Sequence, residues 1–408
     1  AWIHASLGAE REGFLETMYG AIAANDRWLV AHRDTRGSGC VEAFCAFDTG
    51  HDYSPRFWQV PDICYGEDPA RFDPDCTVLP YLAPDLTANV HCQRKYLARI
   101  ASSLSRDAEA AEWEAKAAAS LGCLFRECWD AEDGFFYDRD RLGRFVRVQS
   151  DVLLRVLACE AGDEELFAAA LSRYLLNSRK FFAKYPPTSI AMDDPRFESA
   201  SDRNSWAGPT NVLSILRAPS AFEPRGRHVE LSWILLPALG AYARMERFGQ
   251  CLSPWTGEEG YTEGYTPAIL GFLDAAERLF GILPRPDGRL WFTALPLPRL
   301  EGGKAERETT RYSRKVDGAL FELESGPSGA VAYREGKEIF SCPRGVRVAT
   351  DRSGAVLSLT GMVDRRVEGG LGIGGMKTSF AVAGNEVLLY RDGALAGSDG
   401  PGVVLPQW

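Results

Sequence analysis

The sequence contains no C-x-x-C pair, no N-x-S/T acceptor, no G-x-S-x-G elbow, no phosphate-binding Walker segment and no H-E-x-x-H. Those absences exclude the serine-esterase, P-loop and zinc-peptidase patterns. Histidine is scarce as well. Five occur, none at ligand spacing with the cysteines, so no zinc site is expected and no cofactor is implied. No apolar run is long enough to span a bilayer, and no secretory leader pattern is present, so no membrane partner is expected. Positive charge is short: 46 Lys and Arg against 56 Asp and Glu leave a net charge of −10. A nucleic-acid partner calls for a basic face that displaces counterions from phosphate, and is not expected either. An acidic balance suits a neutral substrate such as a sugar.

Ten cysteines are scattered through the chain, many among apolar residues as in Gly122-Cys123-Leu124-Phe125. They read as buried free thiols, which points to a reducing, cytoplasmic compartment. The chain opens at Ala1 without methionine, so further residues are expected upstream.

Helical periodicity dominates to about residue 282. Leu86, Val90, Leu97, Ile100 and Leu104 share one face behind a Pro84-Asp85 start. The Ala/Glu/Lys-rich run from Asp107 to Trp129 is a second helix. Others are expected over about 9–32, 149–161, 163–183, 209–217, 227–246 and 266–281. The one around Leu231, Leu235, Leu239 and Tyr242 is apolar on nearly all sides, as in a helix enclosed by others. Plain Asp/Gly turns alternate with elaborate connections rich in Trp, Pro, Asn and Gly, a pattern that suggests an α/α toroid with the elaborate loops lining one mouth. After Pro284 the texture changes to short β-type runs, among them Leu290-Trp291-Phe292, Val346-Arg347-Val348 and Val387-Leu388-Leu389-Tyr390. The expected division is a toroid over 1–284 and an antiparallel β-sandwich-like module over 285–408. Gly370–Gly375 fits G-x-G-x-x-G formally, but strand-like residues follow it, so it reads as a β-turn cluster.

The segment from Phe47 to Trp58 carries the most chemistry: Asp48 and Asp52 four apart, with Gly50, His51, Arg56 and the rings of Phe47, Tyr53, Phe57 and Trp58. Glycosidic cleavage needs a carboxylic acid to protonate the leaving oxygen, and aromatic faces to hold the sugar. A capped turn with a surface ion pair has the same composition. An arginine beside the acid would lower its pKa, so Arg56 is expected to direct its charge at substrate or at Asp48. Trp206 and Trp255, flanked by Gly and Pro, are the further sugar-binding candidates, while Trp233 fits a helical core.

This segment resembles the ESGxDxSPRW motif of glycoside hydrolase family 63 and the related family 37 trehalases. Three further pieces follow in the family's order. They are Asp85-Leu86-Thr87-Ala88-Asn89, the turn Trp129–Asp138, and Ser205–Asn211, where Ala207 replaces the arginine of WRGPxW. The resemblance implies a six-hairpin (α/α)6 toroid, inverting hydrolysis of an α-glucoside or similar α-glycoside, and Asp52 as general acid. Only about eight helices are visible against twelve in that fold, so the ring is expected to begin upstream. The family's catalytic glutamate, before a P-x-T-G segment matched by Pro254-Trp255-Thr256-Gly257, falls on Gln250, whose amide cannot take a proton from water. The base is then sought in Gly257–Tyr265, with Glu263 first and Glu259 and Glu230 next. Asp48, Arg56, Trp58, Trp206, Gln250, Trp255 and Glu259 are the expected substrate contacts. A sugar isomerase or polysaccharide lyase on the same toroid, and a non-catalytic sugar binder, stand as alternatives. Oligomeric state is not legible.

Overall fold

The computed structural model describes residues 11–200, 206–260, 264–296, 309–398 and 400–408. The chain forms two compact units. One comprises 6–221, 249–265 and 406–408. The other comprises 222–248 and 266–405. Among the described residues there are eight α-helices: α1 Arg11–His32, α2 Pro84–Ser103, α3 Asp107–Cys128, α4 Val152–Ala158, α5 Glu164–Ala170, α6 Val212–Phe222, α7 His228–Tyr242 and α8 Thr266–Phe280. None is long and apolar enough to cross a membrane.

In the first unit α2 and α3 pair closely through a three-residue turn. Pro84 opens α2 at a position where a missing N–H is harmless, and Asp85 complements the dipole in the first turn. Leu97, Ala98 and Ala101 of α2 pack with Ala110 and Trp113 of α3 and with Tyr19 and Ala23 of α1. Burying a side chain such as Leu97 completely is worth roughly 1.5–3 kcal/mol. Trp113 donates from its indole to the Tyr19 hydroxyl at 2.9 Å, so the one polar atom of the Trp113 side chain is satisfied.

The helix expected over 163–183 is shorter. It starts at Glu164, capped by Asp163 accepting from the Leu166 N–H, and ends at Ala170 in a π-turn over Leu171–Leu175. Beyond it the Asn177 side chain accepts from the Arg179 N–H, and the Ser178 N–H turns to the Gln407 carbonyl. Local capping and a C-terminal strand-like contact thus take the backbone groups a longer helix would have used.

The free-thiol reading fails for two residues. Cys40 and Cys123 are joined by a disulfide, their Cα atoms 5.8 Å apart across 83 residues of sequence. Such a pairing depends on spatial proximity and leaves no spacing signature.

The second unit holds α7, α8 and two six-stranded sheets. In chain order the strands are β1 Ile282–Pro284, β2 Leu290–Ala294, β3 Thr310–Val316, β4 Ala319–Gly326, β5 Gly329–Arg334, β6 Lys337–Cys342, β7 Val346–Thr350, β8 Val356–Gly361, β9 Val367–Ile373, β10 Met376–Val382, β11 Val387–Arg391 and β12 Ala394–Ser398. One sheet runs β1-β2-β7-β8-β11-β12 and the other β3-β4-β5-β6-β9-β10, with every pairing antiparallel. Their inner faces share one core, in which the Phe292 ring meets those of Phe321 and Phe340 edge-on at 6.1 and 5.3 Å. The antiparallel module expected near the C-terminus is therefore present. Gly374 and Gly375, both at positive φ, make the β9–β10 turn, as the strand-like residues after them implied.

Candidate active site

Four stretches distant in sequence meet around one arginine. The loop Ala46–Trp58 is built from two 3₁₀ turns, Ala46–Thr49 ended by Gly50 at φ 70°, and Pro55–Phe57 with Ser54 at its N-cap. That second turn puts Arg56 inside the protein, at 1% exposure. Its guanidinium donates to both oxygens of Asp138 at 2.7 Å, and to Asp85 at 2.9 and 3.1 Å. Its charge goes to these two buried carboxylates, not to substrate or to Asp48 as expected. Asp138 follows the Trp129–Phe136 hairpin, and Asp85 opens α2.

Arg56 Nη1 also lies 2.6 Å from His51 Nδ1. A guanidinium can only donate, so Nδ1 accepts and the ring proton sits on Nε2, which faces Asp151 Oδ1 at 3.1 Å. Burial, reinforced by the charge of Arg155, drives the His51 pKa down to about 4, so the ring is neutral near neutral pH. The Ser214 hydroxyl donates to the other Asp151 oxygen. Arg155 donates to the Thr49 carbonyl at 2.7 Å and to Asp85 at 3.3 Å, tying α4 to the loop. Asp85, between two guanidinia, stays well below the usual carboxylate range despite its burial. Asp138 has Arg56 as its cation, and burial lifts its carboxyl.

Asp48 is likewise committed. Arg33 donates to its two oxygens at 2.5 and 3.0 Å, and the Phe44 and Cys45 N–H groups at 2.6 and 3.2 Å. The expected substrate contact is instead the brace of the loop's entry.

Asp52 stands apart from these pairs. It is half-buried, and burial raises its carboxyl above the ordinary range; Arg155 and its own N–H oppose the shift, and Asp62 adds to it. Phe47, Tyr53 and Trp58 on the same loop are exposed, with Trp58 donating to the Tyr53 carbonyl at 3.0 Å. A carboxyl that keeps its proton beyond the usual range, beside exposed rings, can act as an acid toward a bound sugar.

The Trp206 and Trp255 loops join the same unit. Thr210–Asn211, Cys251–Leu252 and Glu259–Gly260 form a three-stranded sheet. Trp206 is buried, its ring 4.4 Å from that of His51 and under the Arg155 guanidinium at 5.0 Å. Gly208 is required two residues on, because a Cβ there would fall 2.4 Å from the Glu198 carbonyl oxygen. Trp255 is half-exposed and donates to Ser199 at 3.1 Å. Gln250 is buried, and its backbone carbonyl accepts from the Val212 N–H. Glu259 is half-buried on its strand, while Glu258 is exposed and bonded to Thr256. Glu263 lies outside the described residues. Glu230 belongs to α7 in the other unit. There Asn385 Nδ2 and the Val404 N–H donate to its two oxygens, and the side chain is a structural anchor, not a base.

Three participants were not singled out in the sequence. Asp151 and Arg155 sit on an ordinary-looking helical stretch, and only the fold shows that α4 lies beneath the loop. Tyr265 ends the carboxylate-rich loop, and its phenol is pushed up first by burial and then by the nearby Cys251 and Asp52.

The mannosylglycerate hydrolase MGH1-like glycoside hydrolase domain matches residues 2–266. No protein of curated function matches the sequence. Among solved structures the fold is similar to the family 63 mannosylglycerate hydrolase of Thermus thermophilus in complex with glucose, at 19% identity and TM-score 0.55, covering 67% of this chain and 74% of that one. An uncharacterized conserved protein from the same organism gives 20% identity and TM-score 0.54 over 66% and 73%. A chain described as a sialidase gives 15% and 0.59, over 84% of this chain and 31% of its own.

Proposed function

Given that the chain belongs to the mannosylglycerate hydrolase MGH1-like glycoside hydrolase family, we propose that it cleaves an α-glucoside or similar small α-glycoside with inversion on an (α/α)6 toroid. The observation that carries the reading is Asp52: a half-buried carboxyl, raised by burial, on a loop whose every other charged side chain from Asp48 to Arg56 is locked in an ion pair or a buried contact. Asp52 delivers its proton to the glycosidic oxygen as the bond to the anomeric carbon breaks. Water attacks that carbon from the opposite face and gives its proton to a carboxylate base. Inversion requires the two carboxyl groups ~6.5–9.5 Å apart. Glu263 is the proposed base, with Glu259 next: Glu259 lies on the strand bonded to Cys251–Leu252, and Glu263 follows it four residues on in the sequence. Trp58, Trp255 and Tyr265 are proposed to hold the sugar. The neighbour solved with glucose, and a second structure of it with D-glycerate, support a compact polar substrate of one sugar and a small aglycone.

Asp52→Asn is expected to lose turnover on natural glycosides by about 10²–10⁴-fold, and much less on glycosyl fluorides, whose leaving group needs no proton. Equal losses on both would remove Asp52 from the role. A second reading has one observation in its favour, the amide at Gln250: a sugar-binding relative that has lost its base. Gln250→Glu distinguishes them, because a large gain of hydrolysis marks an intact but disarmed site. No hydrolysis by either protein across α-linked disaccharides, with sugar binding retained, would establish the binder.

A further inference from the structure

The loop bearing Asp52 is closed at its neck by two backbone hydrogen bonds, Ala46 N–H to the Pro61 carbonyl at 2.9 Å and Phe47 N–H to the Asp62 carbonyl at 3.2 Å. Immediately outside these bonds lie Cys45 and Cys64, with their sulfurs 3.4 Å apart. That is van der Waals contact, so a small adjustment brings them to the ~2.05 Å of a disulfide. Cys45 is buried and Cys64 partly exposed, which gives the pair one accessible sulfur and one protected sulfur. Arg33 Nη2 lies 3.6 Å from the Cys64 sulfur, and Asp48 Oδ1 lies 3.8 Å from it.

We propose that Cys45 and Cys64 form a reversible disulfide that clips the neck of the Asp52 loop, made by exchange with a small-molecule disulfide and opened by thiols. Cys64 attacks first, being accessible and beside a guanidinium that stabilises its thiolate. Its proton goes to solvent, the sulfur bonds to one sulfur of the oxidant, and the other leaves as a thiolate. Cys45 then loses its proton and displaces the second thiolate from Cys64. In sum, the two cysteines lose two protons and two electrons, and one small disulfide becomes two thiols. Both thiols are held protonated, chiefly by burial and then by Asp48, with Cys45 pushed up to about 12. Closure is therefore slow unless an oxidant persists, which suits a device that reports sustained redox conditions.

The same three side chains have the donor set of a soft-metal tripod, since the ligand atoms of Cys45, Asp48 and Cys64 lie within 4.8 Å of one another. The surroundings favour the disulfide. Asp48 is already saturated by Arg33 and two backbone N–H groups, and a cation at the tripod would face the Arg33 guanidinium.

The test equilibrates the full chain in oxidised and reduced glutathione, blocks free thiols by alkylation, and maps peptides by mass spectrometry. The expected result is a Cys45–Cys64 linked peptide that disappears on return to reduced glutathione and is absent in Cys64→Ser. Closing a loop of this length should raise the thermal midpoint of the wild type by at least about 4 °C over the reduced form. The same treatment should raise the midpoint of Cys45→Ser by less than that of the wild type, since the variant lacks this linkage and keeps only the Cys40–Cys123 bond. Three results would overturn the proposal: both thiols still alkylated at the most oxidising ratio, a glutathione adduct on Cys64 that never resolves, or stoichiometric zinc retained by the wild type and lost in Cys64→Ser. Since the linkage itself is read, the outcome does not depend on glycosidase activity.

Discussion

Replacing Arg56 with methionine keeps much of the side-chain volume and removes the charge that joins three segments. In the wild type the guanidinium makes four contacts of 2.7–3.1 Å to Asp85 and Asp138, with the arginine at 1% exposure. Without it Asp85 retains Arg155 at 3.3 Å, whereas Asp138 has no other cation among the described residues. Removing one partner of a buried ion pair costs about 3–5 kcal/mol, because the remaining charge stays desolvated. For a unit of this size each kcal/mol moves the midpoint by about 2–4 °C, so Arg56→Met should unfold ~6–20 °C below wild type by far-UV circular dichroism. The sign of the pH effect follows from Asp85. Its folded pKa lies below the ordinary value of about 3.9, so its stabilisation is complete above that value and lost as pH falls through the folded one. The gap between wild type and variant should thus be widest near neutral pH and shrink in acid. Adding Asp138→Asn to Arg56→Met should recover part of the loss. A gap under about 2 °C near neutral pH, or one that widens on acidification, would refute the argument.

The proposed acid and the loops around it can be probed separately. Asp62 is exposed and its charge helps hold the Asp52 carboxyl up, so Asp62→Asn should move the alkaline limb of the pH–rate profile to lower pH with folding unchanged; an upward shift would contradict the electrostatic account. Gly257 has φ 71°, and a Cβ there would lie 2.6 Å from the Tyr185 ring, so Gly257→Ala should cost at least about 1–2 kcal/mol in urea unfolding.

Much was legible in the chain itself. The helix at Pro84–Ser103 carries its own start signal and apolar face, and that at Asp107–Cys128 its run of strong helix formers, so local physics alone locates them. The strands after Ile282 announce themselves by alternation and by turn glycines. Asp52 could be singled out because its neighbours on the loop spell a recognisable segment. What the chain could not show was the direction of each charge. Asp48, Arg56 and Asp85 are equally polar on paper. Only the tertiary structure decides that Arg33 takes Asp48, and that Arg56 turns inward to Asp138, 82 residues away. The same holds for the Cys40–Cys123 bond and the Cys45–Cys64 contact, neither of which has a sequence spacing to reveal it. Periodicity and capping are set by residues a few places apart, whereas ion pairs and thiol contacts depend on where distant segments pack. That is why, among the described residues, Asp52 is left as the loop's one carboxyl outside an ion pair, a fact the fold supplies.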